Sequence, residues 1–123
     1  MDCIFCKIVN GTIPSKVIFE DNLVMVFMDN NPAVNGHLLI IPKEHYTDYQ
    51  ELPEKMLSHI FDIAKDLGPK IMQKLNAESL TLLVNYGEDQ KVKHFHLHLL
   101  PNFHKKENSS LKSTDDIFTI LKK

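Results

Sequence analysis

Eight residues, His94-Phe95-His96-Leu97-His98-Leu99-Leu100-Pro101, restrict what this chain can fold into more than any other stretch. Side chains alternate across an extended strand, so His94, His96 and His98 share one face and Phe95, Leu97 and Leu99 the other. The apolar face demands a core in which to bury itself. The opposite face carries three imidazoles spaced roughly 6.5–7 Å apart, a polar stripe that no core requires. A lone histidine on a strand reads first as a satisfied core or surface residue. Three in register, backed by clean apolar alternation, point to chemistry. Turn formers at 87–90 precede the segment and Pro101 follows it, which predicts a strand over 92–100.

Other apolar segments supply neighbours for that strand. Residues 4–10 make a short helical turn stopped by Gly11, and Thr12-Ile13-Pro14 breaks it. Strand formers at 17–19 and 23–28 flank Glu20-Asp21-Asn22, a hairpin signal. Asn30-Asn31-Pro32 interrupts, Asn35-Gly36 turns the chain into a strand over 37–41, and Pro42 closes it. Pro53 suits the first position of a main helix. Within it Met56, Leu57, Ile60, Phe61, Ala64, Leu67, Ile71, Met72 and Leu75 recur mostly at spacings of three and four. Gly68-Pro69 should kink or split that helix. A strand over 80–85 comes next. After Pro101 a polar loop covers about 105–113, and a short helix lies within 114–122, capped by Ser113 or Thr114. This order predicts an α+β fold, an antiparallel meander of about five strands with one main helix packed across it.

With 123 residues the chain is expected to form one domain over 1–123, large enough for a genuine core. Its formal charge of −2, with acids and bases interspersed, argues against bulk attraction to nucleic acid or an anionic membrane. A small anionic ligand needs only a few local donors and stays open. Met1-Asp2-Cys3-Ile4-Phe5-Cys6 lacks the basic and apolar regions of a secretory signal, and no window approaches the ~18–20 apolar residues of a membrane span. Two cysteines three positions apart suit a cytosolic metal or redox site better than a secreted disulfide framework, so the expected location is cytoplasmic.

Two functional readings compete for the histidine stripe. Alternate strand positions can present two or three imidazoles to zinc. Alternatively, neutral imidazole is a good nucleophile near pH 7 and a capable leaving group, so a covalent intermediate on histidine would split a phosphoryl substitution into two easier steps. A neighbouring ring could then bind the non-bridging oxygens as charge accumulates.

The segment 94–100 resembles the signature of the histidine triad family, in which three histidines alternate with apolar residues and two apolar residues follow. Further resemblance covers nearly the whole chain. Ile4-Phe5-Cys6-Lys7-Ile8 with Ile13-Pro14 is similar to the family's opening. Phe27-Met28-Asp29 followed by Pro32 resembles its ribose-binding turn, and Gly36-His37-Leu38-Leu39-Ile40-Ile41-Pro42-Lys43-Glu44-His45 its central strand. Asn85 followed by Gly87 resembles the loop before the signature. The branch most resembled is the bacterial-type nucleotide-binding hydrolases.

By this resemblance His96 is the nucleophile that becomes nucleotidylated, His98 a phosphate contact, and His37 a histidine that orients the triad. Asn85 supports the phosphate site, Gln90 is counted with the nucleotide-binding residues, and Asp29 accepts from the ribose hydroxyls, as an ionised carboxylate suits. Phe5, Ile8 and Phe27 form an apolar slot for the base, although Ile8 and Phe27 are equally well explained as core. A purine nucleotide ligand and a homodimer are implied in the same way. Cys3, Cys6, His45 and His94 correspond to a structural zinc site, for a Cys2His2 set leaves no open coordination position. If His94 turns to the cysteines, His96 and His98 remain free for phosphate, and a catalytic zinc held by all three histidines loses. Histidine rather than glutamine at 98 favours water as the second acceptor.

The expected function is therefore hydrolysis at the α-phosphate of a purine nucleoside phosphoramidate or dinucleotide polyphosphate. The alternative is a nucleotide-binding module with only incidental hydrolysis. Lys91 departs from the family, which carries a small polar residue there thought to contact the leaving group. A lysine at that position could bind extra phosphates, donate a proton to an amine, or simply be solvated on its turn. His59 is expected to face solvent, and His104 is assigned no role.

Overall fold

The computed structural model describes residues 3–105 and 111–123. In chain order the elements are α1 (Ile4–Val9), β1 (Val17–Glu20), β2 (Val24–Met28), β3 (Leu38–Pro42), α2 (Glu54–Leu75), β4 (Leu80–Leu83), β5 (Leu97–Pro101) and α3 (Thr114–Lys122), with a short 3-10 turn at Gly87–Asp89 before β5. Of the polar stretch expected over 105–113, residues 106–110 lie outside the described residues.

The five strands make one antiparallel sheet in the order β1-β2-β3-β5-β4. The first three form a meander, as expected. Helix α2 then carries the chain past one place, and β5 returns to fill it between β3 and β4. One sheet face packs on α2 and α3, where Val24, Val26, Leu38, Ile40, Leu97 and Leu99 meet Ile60, Ala64, Ile71, Ile117 and Leu121. On the other face Met25, Phe27, Leu39 and Ile41 pack against Cys3, Phe5 and Ile8 around α1. Every residue of β2 and β3 is buried, so these strands read as continuous apolar runs.

Three local expectations are corrected. The last strand begins at Leu97 rather than at 92, because β3 ends in Pro42 and the ladder stops with Ile40 opposite Leu97. Upstream of Leu97 the chain is tied instead by Phe95 N–H donating to the Tyr46 carbonyl at 2.7 Å. The alternation persists nonetheless, since Phe95, Leu97 and Leu99 all lie in the larger core. Helix α2 runs on through Pro69, which sits on its exposed side, where the carbonyl left without a partner can turn to water. Pro53 is the residue before the helix rather than its first, with an extended backbone. The tail helix is capped by Ser113, whose Oγ accepts from Asp116 N–H at 3.1 Å.

Gly36 adopts a left-handed φ of +84° just before β3. A Cβ there would overlap the Leu75 Cδ1 methyl and meet Pro101 Cγ at 3.3 Å. Gly11 is also left-handed, but nothing lies within 4 Å of the corresponding position. Gly11→Ala should therefore cost only the backbone term of about 1–2 kcal/mol. Gly36→Ala should cost clearly more, a ranking that urea unfolding of the two variants will check.

Candidate functional site

Strand β5 sets His98 opposite Leu39 of β3, on the sheet face turned away from α2. His96 lies two residues earlier on the same face, with its ring centroid 4.9 Å from that of His98. The proton on each ring follows from its partners, since a carbonyl can only accept and a backbone N–H can only donate. His96 Nδ1 lies 2.8 Å from the His94 carbonyl and so carries the hydrogen. Its Nε2 lone pair has no hydrogen-bond partner among the described residues. Ala33 N–H donates to His37 Nδ1 at 3.1 Å, so His37 is protonated on Nε2 and donates to His98 Nδ1 at 2.9 Å. His98 must then hold its own hydrogen on Nε2, a buried atom with no hydrogen-bond partner among the described residues. The site thus presents one bare lone pair beside one unspent N–H donor.

His94 belongs to a different constellation. Its Nε2–H donates to the Pro42 carbonyl at 2.8 Å, which turns Nδ1 toward Cys3 Sγ at 3.3 Å and Cys6 Sγ at 3.5 Å. Cys6 Sγ also lies 3.3 Å from His45 Nδ1, and the four donor atoms all lie within 4.8 Å of one another. A tetrahedral zinc with ordinary Zn–S and Zn–N bonds separates its sulfur and nitrogen ligands by about 3.6 Å, so the arrangement fits that ion. The Pro42 carbonyl acts as the outer partner that fixes the tautomer of a ligating histidine. The CxxC spacing brings this about locally, because Cys3 is the N-cap of α1 and Cys6 follows one turn later. Asp29, His37 and His98 also cluster within 4.8 Å. There, however, Ala33 holds the proton on His37 Nε2, the atom a metal would need, so the group is a hydrogen-bonded relay.

In front of His96 and His98 opens a cleft of about 460 Å³. Phe5, Ile8, Phe27 and Leu39 line its apolar part, with the Phe5 ring edge-on to His96 at a centroid distance of 5.0 Å. Asp29, Asn31 and Asn85 line its polar part. Asp29 Oδ1 accepts from Asn31 N–H at 2.8 Å, and Oδ2 faces His37 at 3.5 Å. Burial dominates the electrostatics. It pushes the imidazolium forms of His37, His94 and His96 below the usual range, against opposing pulls from Asp29 on His37 and His96 and from hydrogen-bonded carbonyls on His94 and His96. His98 is pushed down to about 4 by burial, with added repulsion from His96 and His37.

Of the residues expected at the site, His96, His98, Asp29, Asn85, Phe5, Ile8 and Phe27 line the cleft, and His37 stands behind His98. Cys3, Cys6, His45 and His94 come together apart from it. Gln90 is corrected: it does not line the cleft but is buried, donating to the carbonyls of Thr47 at 2.6 Å and Val92 at 3.1 Å. A carboxamide with both of its hydrogens spent on backbone carbonyls is a brace between loops. His59 is corrected too, since it is half-buried against Asp21 at 2.7 Å instead of facing solvent. Leu39, Asn31 and Asp89 line the cleft without having been singled out. Leu39 was recoverable, because counting by twos from His37 puts it on the cleft face.

A family model described as HIT domain matches residues 10–105. A HIT-like protein of Methanocaldococcus jannaschii is 39% identical over 103 residues, covering 82% of this chain and 79% of its own length. The adenosine 5′-monophosphoramidase of Schizosaccharomyces pombe is 38% identical, covering 82% of this chain and 74% of its own. The crystal structure of a zinc-bound histidine triad family protein from Mycobacterium smegmatis superimposes with a TM-score of 0.81 at 28% identity, over 99% of this chain and 91% of that one.

Nitrogen NMR of the imidazoles should report Nδ1–H for His96 and Nε2–H for His98, with His98 titrating near 4 rather than at the usual 6.5. The unfolded chain takes up that proton first, so stability should fall as pH drops from 6.5 toward 4 and be unaffected by this group above 6.5. A His98 midpoint near 6.5 would contradict the burial described.

Proposed function

Because this chain belongs to the HIT domain family, whose relatives include a phosphoramidase, we propose that it is a nucleotidyl hydrolase acting through a covalent intermediate on His96. The substrate is a purine nucleoside phosphoramidate or a dinucleotide polyphosphate, with adenosine favoured by the name of the fission-yeast relative. One observation carries the reading: His96, whose Nδ1–H is spent on the His94 carbonyl, and His98, whose buried Nε2 has no partner among the described residues, line the cleft together.

The base enters the slot of Phe5, Ile8, Phe27 and Leu39, and Asp29 accepts from the ribose hydroxyls. The α-phosphate then lies over His96. Nε2 attacks in line, the N–P bond forms, and the bond to the leaving group breaks with its electron pair going to that group. An amine takes up a proton from solvent. The His98 Nε2–H and Asn85 hold the non-bridging oxygens as charge accumulates. The His94 carbonyl, accepting from Nδ1, steadies the positive charge on the nucleotidylated ring. Water attacks the phosphorus and gives up a proton to solvent, releasing the nucleotide and returning the electron pair to Nε2. His37 acts through His98 as a positioning residue, holding it in the tautomer that donates.

Cys3, Cys6, His45 and His94 would hold a zinc ion whose contribution is a cross-link between the N-terminal segment and the loop before β5. Thiols kept as metal ligands suit a reducing, cytoplasmic setting. A homodimer is part of the same proposal, supported by the sheet edge at β4, where Leu82, Val84 and Tyr86 are exposed.

His96→Ala should lower turnover of adenosine 5′-phosphoramidate by more than about 10³-fold while leaving AMP binding measurable. Early acid quenching of the parent should trap a nucleotidyl adduct on His96. Turnover by the alanine variant at the parent rate overturns the assignment, whereas tight AMP binding without turnover by the parent favours the binding-module reading. Removing metal with a strong chelator should lower the melting temperature before or together with activity. Immediate loss of activity with the fold intact would instead make the metal catalytic.

A further inference from the structure

Beyond the wall formed by Ile4, Lys91 and Val92, the nucleotide cleft adjoins a second open cavity, also of about 460 Å³. Lys93, Thr47, Cys3 and His45 complete its lining. Charge is divided unevenly across that wall. The cleft side carries the carboxylates of Asp29 and Asp89. The second cavity carries two ammonium side chains and no carboxylate. Lys91 Nζ donates to the Glu88 carbonyl at 3.3 Å and Lys93 Nζ to the Gly87 carbonyl at 2.8 Å. Neither is paired with a carboxylate among the described residues. Both reach back to the same short turn, Gly87–Asp89, and both side chains line the cavity.

We propose that this second cavity receives the leaving group, and that Lys91 and Lys93 make the site selective for oxyanion leaving groups, a sulfate or a phosphate chain, over neutral amines. The proposal rests on the hydrolase reading and names its substrate class. The nucleoside half of a substrate fills the apolar slot and Asp29, leaving the wall shared by Ile4, Lys91 and Val92 as the way out for the other half. When His96 Nε2 bonds to phosphorus, the bridging P–O bond breaks and its electron pair stays on oxygen. An oxyanion departing in this way needs no proton, only neighbouring positive charge, and two ammonium groups supply it. A departing amine carries no lasting negative charge for the ammonium groups to hold, so it gains less from them than an oxyanion does.

The test compares kcat/KM of the full chain for adenosine 5′-phosphosulfate, diadenosine tetraphosphate and adenosine 5′-phosphoramidate. Each is measured for the parent, Lys91→Gln, Lys93→Gln and the double variant. The preference for the two oxyanion substrates over the phosphoramidate should fall about tenfold or more in the double variant, and added salt should erode it in the parent. An unchanged preference, or an equal loss on all three substrates, overturns the proposal. If the parent turns over none of the three, the hydrolase reading fails on its own. The subsite is then read from equilibrium binding of ADP against AMP, the second phosphate standing in for the leaving group. The parent should bind ADP more tightly, and the double variant should bind the two alike; no ADP preference in the parent overturns the subsite.

Discussion

A single backbone carbonyl, that of His94, joins the two constellations of this molecule. It accepts the Nδ1–H of His96 at 2.8 Å, while the ring of the same residue, fully buried, reaches the opposite way to Cys3, Cys6 and the Pro42 carbonyl. A buried imidazole is costly unless both nitrogens are satisfied, by about 1–3 kcal/mol for each orphaned group. His94 has partners on both nitrogens, so its peptide is held in one orientation. That orientation, passed on through one hydrogen bond, fixes which nitrogen of His96 is bare. The geometry of the thiol–imidazole cluster and the tautomer of the neighbouring ring are therefore one constraint.

The sheet makes this arrangement affordable by dividing its faces between stability and chemistry. On the α2 side the apolar halves of β2, β3 and β5 meet long helices in the larger core. On the α1 side the covering layer is thin, a six-residue helix and the segment around it, and the same strands, with the residue just before β5, present Phe27, Leu39, His98 and His96 to a cleft. Burial on that side still suffices to keep the histidines neutral, but it leaves room for a ligand to lie along the strands.

Much of this was legible in the chain itself. Alternation in 94–100 told which residues face the core, and Phe95, Leu97 and Leu99 lie there. The helical spacing from Met56 to Leu75 located α2, whose buried residues are Ile60, Ala64, Gly68 and Ile71. What was missed depends on neighbours distant in sequence. A period of two states which face a residue takes but not which strand lies beside it, so the insertion of β5 between β3 and β4 could not be read. Pro42 shortens a strand that lies far along the chain, and no local signal in 92–96 announces it. Gln90 has the composition of a ligand contact and the surroundings of a brace. Pro69 looked like a break because propensity ignores which side of a helix meets water. The pair of His59 with Asp21 joins α2 to the first hairpin, a contact that a helical pattern alone never specifies.

The place of β5 has a kinetic meaning as well. Its partners are β3, on the far side of α2 in sequence, and β4, immediately before it, so it joins one distant and one near pairing. Closing so long a loop is the slow part of building such a sheet. His98 enters with that last strand, and His96 gains its neighbour at the same moment. A chain with only the first hairpin and helix formed would not yet have set His96 and His98 together. The imidazole pair thus depends on the completed β3-β5-β4 order, and not on any one local segment.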